Sequence, residues 1–304
     1  MKPELPLAIL RAPPRGWRVW WTAARPRTLT LATAPVVAGT AMAWAEGAEH
    51  HWLVVLAVLI AALLIQIGTN LHNDAADHER GNDLADRPGP LRVTAAGWAT
   101  ARQVRSASRS AFVLAFLIGI YLVAQGGWAI LLIGLASLVA GVVYSGGPRP
   151  ISHTPLGEVF VWIFFGILAV AGSYWLQAGT LTPAAWLAGA AVGLPASAVL
   201  LVNNLRDIVA DTRSGRRTLA AVLGDKKSRR LYGVLMLSPF ASLPLFAVLG
   251  LTGAWLALLT LPPGLMLVKR IRFTQGPALN LLLARTAQYA LGFAVCLAAG
   301  VLLG

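Results

Sequence analysis

Nine long apolar stretches constrain this chain more than any other feature of its sequence. Each is 15 to 25 residues long, and Glu158 and Arg285 are their only charged residues. An α-helix rises 1.5 Å per residue, so about 20 apolar residues cross a hydrocarbon core of ~30 Å. The sequence therefore predicts an all-α, polytopic membrane protein that forms a bundle of nine transmembrane helices. The stretches are residues 28–45, 52–72, 110–124, 128–144, 157–176, 185–203, 231–249, 253–268 and 279–303.

Composition and breaks in the pattern agree with this fold class. Hydrophobic residues make up 57% of the chain and charged residues 12%, whereas soluble domains contain about 25% charged residues. Short breaks around Gly127, Gly179 and Gly250 are typical of turns between paired helices, and Pro262-Pro263 is expected to kink the eighth helix. We expect residues 1–27 to form a basic cytoplasmic arm and residues 28–304 a single transmembrane domain.

The placement of the basic residues predicts the orientation. If the spans alternate sides, all 25 Lys and Arg residues lie on the side of the N-terminus, and the opposite loops carry Glu46 and Glu49. Because cytoplasmic loops are enriched in Lys and Arg, we predict a bacterial cytoplasmic-membrane protein with its N-terminus and active site on the cytoplasmic side and its C-terminus outside. The net charge of +13 then reflects topology and contact with anionic membrane lipid rather than nucleic-acid binding.

Two smaller features limit the possible chemistry and assembly. Cys296 is the only cysteine, which excludes an intramolecular disulfide and a cysteine-built metal site. Small residues such as Gly166, Ala171 and Gly172 favour close helix packing. Such packing occurs within one chain or between copies, so a homo-oligomer stays open.

Two acidic clusters are the informative exception to the basic pattern. Seven of the 12 acidic residues lie just past the second and sixth spans. In the first cluster, Asn70, Asp74 and Asp77 are spaced by four and three residues, which places them on one helix face. A second face of the same chemistry follows four spans later, so it emerges on the same side, at Asn204, Asp207 and Asp211.

The clusters indicate a site for a metal and a diphosphate. Carboxylates on one helix face repel each other unless a cation lies between them, and oxygen-only ligands suit Mg²⁺, which commonly shares its shell with phosphate. Arginines follow both clusters, and a guanidinium binds phosphate oxygens in pairs. Three alternatives stay open: solvated charges in local salt bridges, a cation transporter with acids in its pathway, and a non-catalytic lipid-binding scaffold.

At these residues the sequence resembles the UbiA-type membrane prenyltransferases, and within them most closely the 1,4-dihydroxy-2-naphthoate polyprenyltransferases of menaquinone synthesis. The likeness extends from Ala24 to the C-terminal span. It rests on QIGTNLHNDAADHERGND with the following DRPGPLR, on VYSGGPRP, on LGEVFVWIFFG, and on VNNLRDIVADTRSGRRTLAAVLG. The resemblance implies a central cavity that opens sideways to lipid and two acidic motifs that bind a Mg²⁺–polyprenyl diphosphate.

The resemblance also implies roles for individual residues. The expected ligands of two Mg²⁺ ions are carboxylates, with two neutral amide oxygens: Asp74, Asp77, Asp83, Asp207 and Asp211, with Asn70 and Asn204. Both amides also count among the expected substrate-binding residues, together with Asn73, Arg80, Arg206, Arg216 and Arg217 on the diphosphate side. The family commonly has lysine where Arg216 stands, so a phosphate-binding role passes to this arginine. The acceptor is expected to contact Tyr144, Ser145, Arg149 and Glu158, with Tyr144 and Phe164 presenting their π-faces to the allylic cation.

The activity implied by the resemblance is Mg²⁺-dependent prenyl transfer. A polyprenyl group passes from polyprenyl diphosphate to 1,4-dihydroxy-2-naphthoate, with release of diphosphate and CO₂. Ionisation of the allylic C–O bond is expected to precede attack by the ring, so Mg²⁺ and arginines stabilise the departing group. The alternative acceptors are 4-hydroxybenzoate and homogentisate, because prenyltransferases for these rings share the acidic motifs. The sequence sets neither the prenyl chain length nor the oligomeric state.

Overall fold

The protein is all-helical throughout the part of the chain that the structure describes. This computed structural model describes residues 16–81 and 88–304. The helices, in chain order, are α1 Trp17–Ala24, α2 Thr30–Ala45, α3 Trp52–Glu79, α4 Ala101–Val143, α5 Gly157–Ala178, α6 Pro183–Arg213, α7 Leu219–Val248, α8 Thr252–Ile271 and α9 Gly276–Leu303. The all-α prediction is confirmed for these residues.

The helices are long and apolar enough to span a membrane. Seven of those described, α3 to α9, meet this condition individually, and α1 with α2 form an eighth candidate that is bent by 52°. At 43 residues, α4 would extend about 65 Å if it were straight, which is twice the thickness of a hydrocarbon core. The count of nine spans requires its two arms to cross separately, so that count and the orientation of both termini remain predictions.

Gly127 divides α4 into two arms. Its backbone angles are φ 68° and ψ −155°, which are not helical, and glycine adopts positive φ without a steric cost. Helix α5 also ends at a glycine with positive φ. Gly179 has φ 68°, and its N–H donates to the carbonyl of Trp175. Helical geometry is therefore interrupted at both glycines, and an interruption at Gly127 is what the two predicted spans of α4 require.

The eighth predicted span departs from a simple kinked helix. Residues Thr252–Thr260 form a 3₁₀-helix, and the α-helical part begins at Leu261. Pro262 and Pro263 consequently occupy the first α-helical turn, where a backbone N–H has no intrahelical acceptor to lose.

Helix α6 is the most enclosed of the seven helices α3 to α9, because 72% of the residues in its most apolar stretch are buried. It packs closely against α5, because a Cβ atom added to Gly166 would lie 2.5 Å from the carbonyl oxygen of Gly189 and 2.6 Å from the Cα of Gly193. Residues Ile163–Leu168 of α5 form a π-helical segment at this contact. Gly166 thus serves packing within the chain, and it lies where the middle of α5 meets the first half of α6.

Candidate active site

The two acidic helix ends meet through one arginine. Asp77 lies near the end of α3 and Asp211 near the end of α6, and both are buried. A guanidinium nitrogen of Arg216 forms an ion pair with Asp77, and its other terminal nitrogen lies 3.6 Å from Asp211. Residues 139 positions apart in sequence are therefore brought to one place, which we call the acidic end of the bundle.

A loop segment closes over the first cluster. The backbone N–H groups of Val93 and Thr94 donate to the carboxylate of Asp74 at 3.2 and 3.3 Å, and the Thr94 hydroxyl also donates to it. Arg92, which is 5% exposed, forms an ion pair with Asp77. Segment 92–94 begins at the last residue of the DRPGPLR motif, and its groups bond to the carboxylates of both Asp74 and Asp77.

In the second cluster, Asp207 is held by an arginine of its own helix. Arg206 donates from Nε and a terminal nitrogen to the neighbouring Asp207 carboxylate at 2.8 and 2.6 Å. The same guanidinium donates to Asn280 at 2.7 Å and to Asn203 at 2.9 Å. Arg206 is thus enclosed by protein groups, which leaves its expected role as a diphosphate ligand a prediction.

Glu158 lies against the second cluster. It is 4% exposed, and its Oε1 accepts a hydrogen bond of 2.9 Å from the side-chain amide of Asn204. Among the residues that the structure describes, Glu158 Oε2 has no hydrogen-bond partner. Arg149, nine residues earlier in the sequence, is exposed.

An apolar cavity of about 220 Å³ begins where the acidic clusters end. Its polar end is formed by Asn70, Asn73, Asn203 and Tyr144. The Tyr144, Phe160 and Phe164 rings follow one another along its wall, with centroid separations of 5.8 and 4.5 Å. The four aspartates Asp74, Asp77, Asp207 and Asp211 lie beyond this polar end and do not line the cavity.

Comparison with known proteins decides the family. The UbiA prenyltransferase family profile matches residues 32–292. The chain belongs to the UbiA prenyltransferase family. It is 40% identical over 286 residues to the 1,4-dihydroxy-2-naphthoate octaprenyltransferase of Escherichia coli (strain K12), covering 90% of this chain and 92% of that protein.

Solved UbiA homologues share the fold. An apo structure from Aeropyrum pernix K1 has a TM-score of 0.67 at 16% identity, covering 90% of this chain and 97% of that chain. A homologue from Archaeoglobus fulgidus bound to GPP and Mg²⁺ has a TM-score of 0.63 at 15% identity, covering 94% of this chain and all of that one. These similarities support the helical-bundle architecture of a UbiA protein.

Arg25 is a residue of this UbiA cavity that the sequence reasoning missed. It lines the cavity and is the only described non-glycine residue with positive φ, at 54°. Strained backbone of this kind concentrates at functional sites. The carbonyl of Ala24, next to it, accepts a 2.9 Å hydrogen bond from Asn70. The signal in the sequence was Arg25-Pro26, because helical geometry is disfavoured for a residue that precedes proline.

The remaining expected site residues occupy different surroundings. Arg80 donates to the carbonyls of Ser145 and Gly147, and Ser145 is buried. The side chain of Arg217 is exposed, and its backbone N–H donates to the carbonyl of His153. Burial, followed by the charge of Arg216, lowers the pKa of His153 to about 4. Asp83 lies outside the described residues.

The donor chemistry of the acidic end fits Mg²⁺. Within residues 16–81 and 88–304, no three His, Cys, Asp or Glu side chains form a metal-binding group. Instead, Asp77 and Asp211 both face the cationic Arg216, and Asp207 faces Arg206. Each of these carboxylates is thus paired with an arginine in the structure, and its oxygen atoms are the donor type that Mg²⁺ prefers.

Proposed function

We propose that this protein transfers a polyprenyl group from polyprenyl diphosphate to 1,4-dihydroxy-2-naphthoate in menaquinone biosynthesis. The support for this acceptor is the 40% identity over most of both chains to an octaprenyltransferase of that name. The observation that carries the chemistry is the convergence of Asp77 and Asp211 on Arg216 beside an apolar cavity.

In this proposal, two Mg²⁺ ions bind at the acidic end. Asp74, Asp77 and Asp83 of the first motif and Asp207 and Asp211 of the second would hold them, with Asn70 and Asn204 as neutral oxygen ligands. When bound, Mg²⁺ neutralises negative charge that develops on diphosphate. The binding of GPP and Mg²⁺ by a homologue of the same fold supports this assignment.

The chain's own groups then bind the donor and protect the reaction from water. Arg216 contacts the departing diphosphate, assisted by Arg80, Arg217 and Arg206. The allylic C–O bond breaks, its electron pair leaves with diphosphate, and a C–C bond forms to the acceptor ring with loss of the ring carboxylate as CO₂. The Tyr144, Phe160 and Phe164 rings provide a dry wall with π-faces near the developing positive charge.

The acceptor binds, in this proposal, between the aromatic wall and Glu158. The Glu158 carboxylate has one oxygen bonded to Asn204 and one without a partner among the described residues, so it is able to accept a hydrogen bond from a phenolic hydroxyl. Ser145 and Arg149 complete the acceptor side, with Arg149 binding the carboxylate. Movement of the exposed Arg149 side chain toward the cavity is part of this proposal.

The proposed membrane arrangement follows the positive-inside pattern. Residues 1–27 form a cytoplasmic arm and residues 28–304 one domain of nine spans, with the two arms of α4 crossing separately. The N-terminus and acidic end face the cytoplasm of a bacterial inner membrane, the C-terminus lies outside, and the cavity opens sideways to lipid. The support is that all basic residues fall on one side under this assignment.

An assay with an acceptor panel tests the function. Purified protein in detergent is supplied with octaprenyl diphosphate, Mg²⁺ and, separately, 1,4-dihydroxy-2-naphthoate, 4-hydroxybenzoate or homogentisate. We expect a prenylated product and an equal amount of CO₂ only with the naphthoate, and no product when Mg²⁺ is chelated. Product with another ring would reassign the acceptor. Ion flux in liposomes without donor would favour a transporter, and donor binding without diphosphate release a scaffold.

A further inference from the structure

A second cavity adjoins the first and has the character of a hydrocarbon site. Its volume is about 260 Å³, and it lies among α3, both arms of α4, and α5. Its walls contain no charged residue, and Ser137 and Ser173 are their only polar side chains. The Ser173 hydroxyl already donates to the carbonyl of Ala169 at 2.7 Å. A diphosphate or an aromatic carboxylate would find no charged partner here, whereas an alkyl chain would lose its contact with water.

The two cavities border each other. Four residues line both of them: Ala62, Ile65, Ser137 and Ala169. Three of the four side chains are small, so the junction is not filled by bulky groups. Along α3, Asn70 lines only the first cavity and Val58 only the second, and the 12 residues between them correspond to about 18 Å of helix. The second cavity therefore lies farther from the acidic end than the first cavity does.

Two glycines leave open space in the second cavity. Gly119 lies on the first arm of α4 and Gly134 on the second, and both line this cavity. A Cβ atom added to either glycine would meet no other atom within 4 Å. Nearby lining residues face outward, with Ile120 55% and Leu135 43% exposed. The second cavity thus contains space that no side chain fills, and one of its sides faces outward. A long prenyl tail requires both features.

We infer that the second cavity binds the distal isoprene units of the polyprenyl donor, so that the arms of α4 select for prenyl chain length. This inference rests on the proposed function, and it assigns a route to the donor's tail. The diphosphate stays at the acidic end, the first isoprene units lie along the aromatic wall, and the following units pass the junction at Ala62 and Ala169. Short donors end before the junction.

Filling the open space tests the route. Gly134→Phe and Gly119→Phe each add a ring at a position that lines the second cavity and has free space for a Cβ atom, and Gly292→Phe is the matched control. Gly292 is a helical glycine of α9 with the same free space around its Cβ position, and it lines neither cavity. The values of kcat/KM are measured with geranyl and octaprenyl diphosphate under identical conditions.

We expect both α4 variants to lower kcat/KM for octaprenyl diphosphate about tenfold or more, equivalent to about 1.4 kcal/mol, and to leave the geranyl value unchanged. The control should leave both values unchanged. An unaltered octaprenyl-to-geranyl ratio in both α4 variants would overturn the inference, and so would equal losses with both donors. Failure of the wild type with every donor would instead contradict the proposed function.

A second measurement does not depend on turnover. A donor analogue with a benzophenone at the far end of a long tail is irradiated with the wild-type protein, and the crosslinked peptides are mapped. We expect crosslinks within residues 115–138 for the long analogue and none there for a geranyl-length one. Crosslinks of the long analogue confined to α2 and α9, near Leu31 and Leu283, would place the tail on a different route and refute the proposal.

Discussion

Asp74 and Asp207 occupy corresponding positions on the two acidic helix ends, yet different groups hold their carboxylates. Backbone N–H groups of the loop segment 92–94 donate to Asp74, whereas the guanidinium of the adjacent Arg206 holds Asp207. The first carboxylate therefore depends on a loop that is distant in sequence. The second depends on a charge carried by its own helix.

The neighbouring amides show the same contrast. Asn70 of the first end donates to the carbonyl of Ala24 and to Thr28, so it is tied to the segment that leads into α2. Asn204 of the second end donates to the Glu158 carboxylate, which belongs to the start of α5. The comparison indicates that the second end is joined to another long helix, whereas the first end is joined to two connecting segments, 92–94 and the one that leads into α2.

The largest expected effect is on stability at the second end. Asp207→Asn leaves the Arg206 guanidinium, whose side chain is 1% exposed, without its carboxylate, and breaking such a buried pair costs about 3–5 kcal/mol. Asp74→Asn keeps an oxygen acceptor for neutral donors, so we expect a smaller loss of about 1–3 kcal/mol. Thermal unfolding in detergent measures the difference; both variants should be inactive.

A double variant provides the control for this prediction. Arg206→Met combined with Asp207→Asn removes the unpaired charge, so it should be more stable than Asp207→Asn alone. If Asp74→Asn proves at least as destabilising as Asp207→Asn, the proposed contrast between the two ends is wrong.

An intermediate effect is expected at Arg216, the group that joins both ends. Arg216→Ala removes a charged hydrogen-bond donor worth about 1.5–3 kcal/mol, which corresponds to a rise of about 10- to 100-fold in KM for the prenyl diphosphate. Stability should fall less than in Asp207→Asn, because Asp77 keeps Arg92. Arg230→Ala, an exposed arginine of α7, is the control. Unchanged donor KM in Arg216→Ala would remove this residue from the diphosphate site.

The helices and the positions of the two acidic clusters could be predicted because their signals are local. Apolar length identifies a span, and spacings of three and four residues place Asp74 and Asp77 on one helix face. The π-helical segment Ile163–Leu168 had no such signal. It accompanies the close contact of Gly166 with α6, which depends on tertiary packing rather than on the local pattern.

The partners of the acidic residues could not be predicted for the same reason. Segment 92–94 bonds to Asp74 from 19 and 20 residues away in sequence, and no periodicity around it indicates a contact. Arg206 was expected to bind phosphate because it carries a positive charge beside Asp207. The sequence does not show whether its side chain points into the cavity or packs among other helices of the bundle. Arg25 was grouped with the basic residues that mark topology, although its position before Pro26 was a usable signal.

The smallest expected effect tests the loop that holds the first end. Thr94→Val removes the hydroxyl that donates to Asp74 but leaves both backbone N–H donors, so the free energy of unfolding should fall by about 1 kcal/mol. That loss corresponds to a decrease of about 2 °C or less in Tm for a chain of this size. Thr274→Val is the matched control, because its hydroxyl bonds only to the carbonyl of Arg270 one turn away. The Thr94 variant should also raise donor KM slightly, since the carboxylate it orients belongs to the proposed metal site. A loss as large as that of Asp207→Asn would mean that the loop, rather than the charge pair of the second end, is the main support of the acidic site.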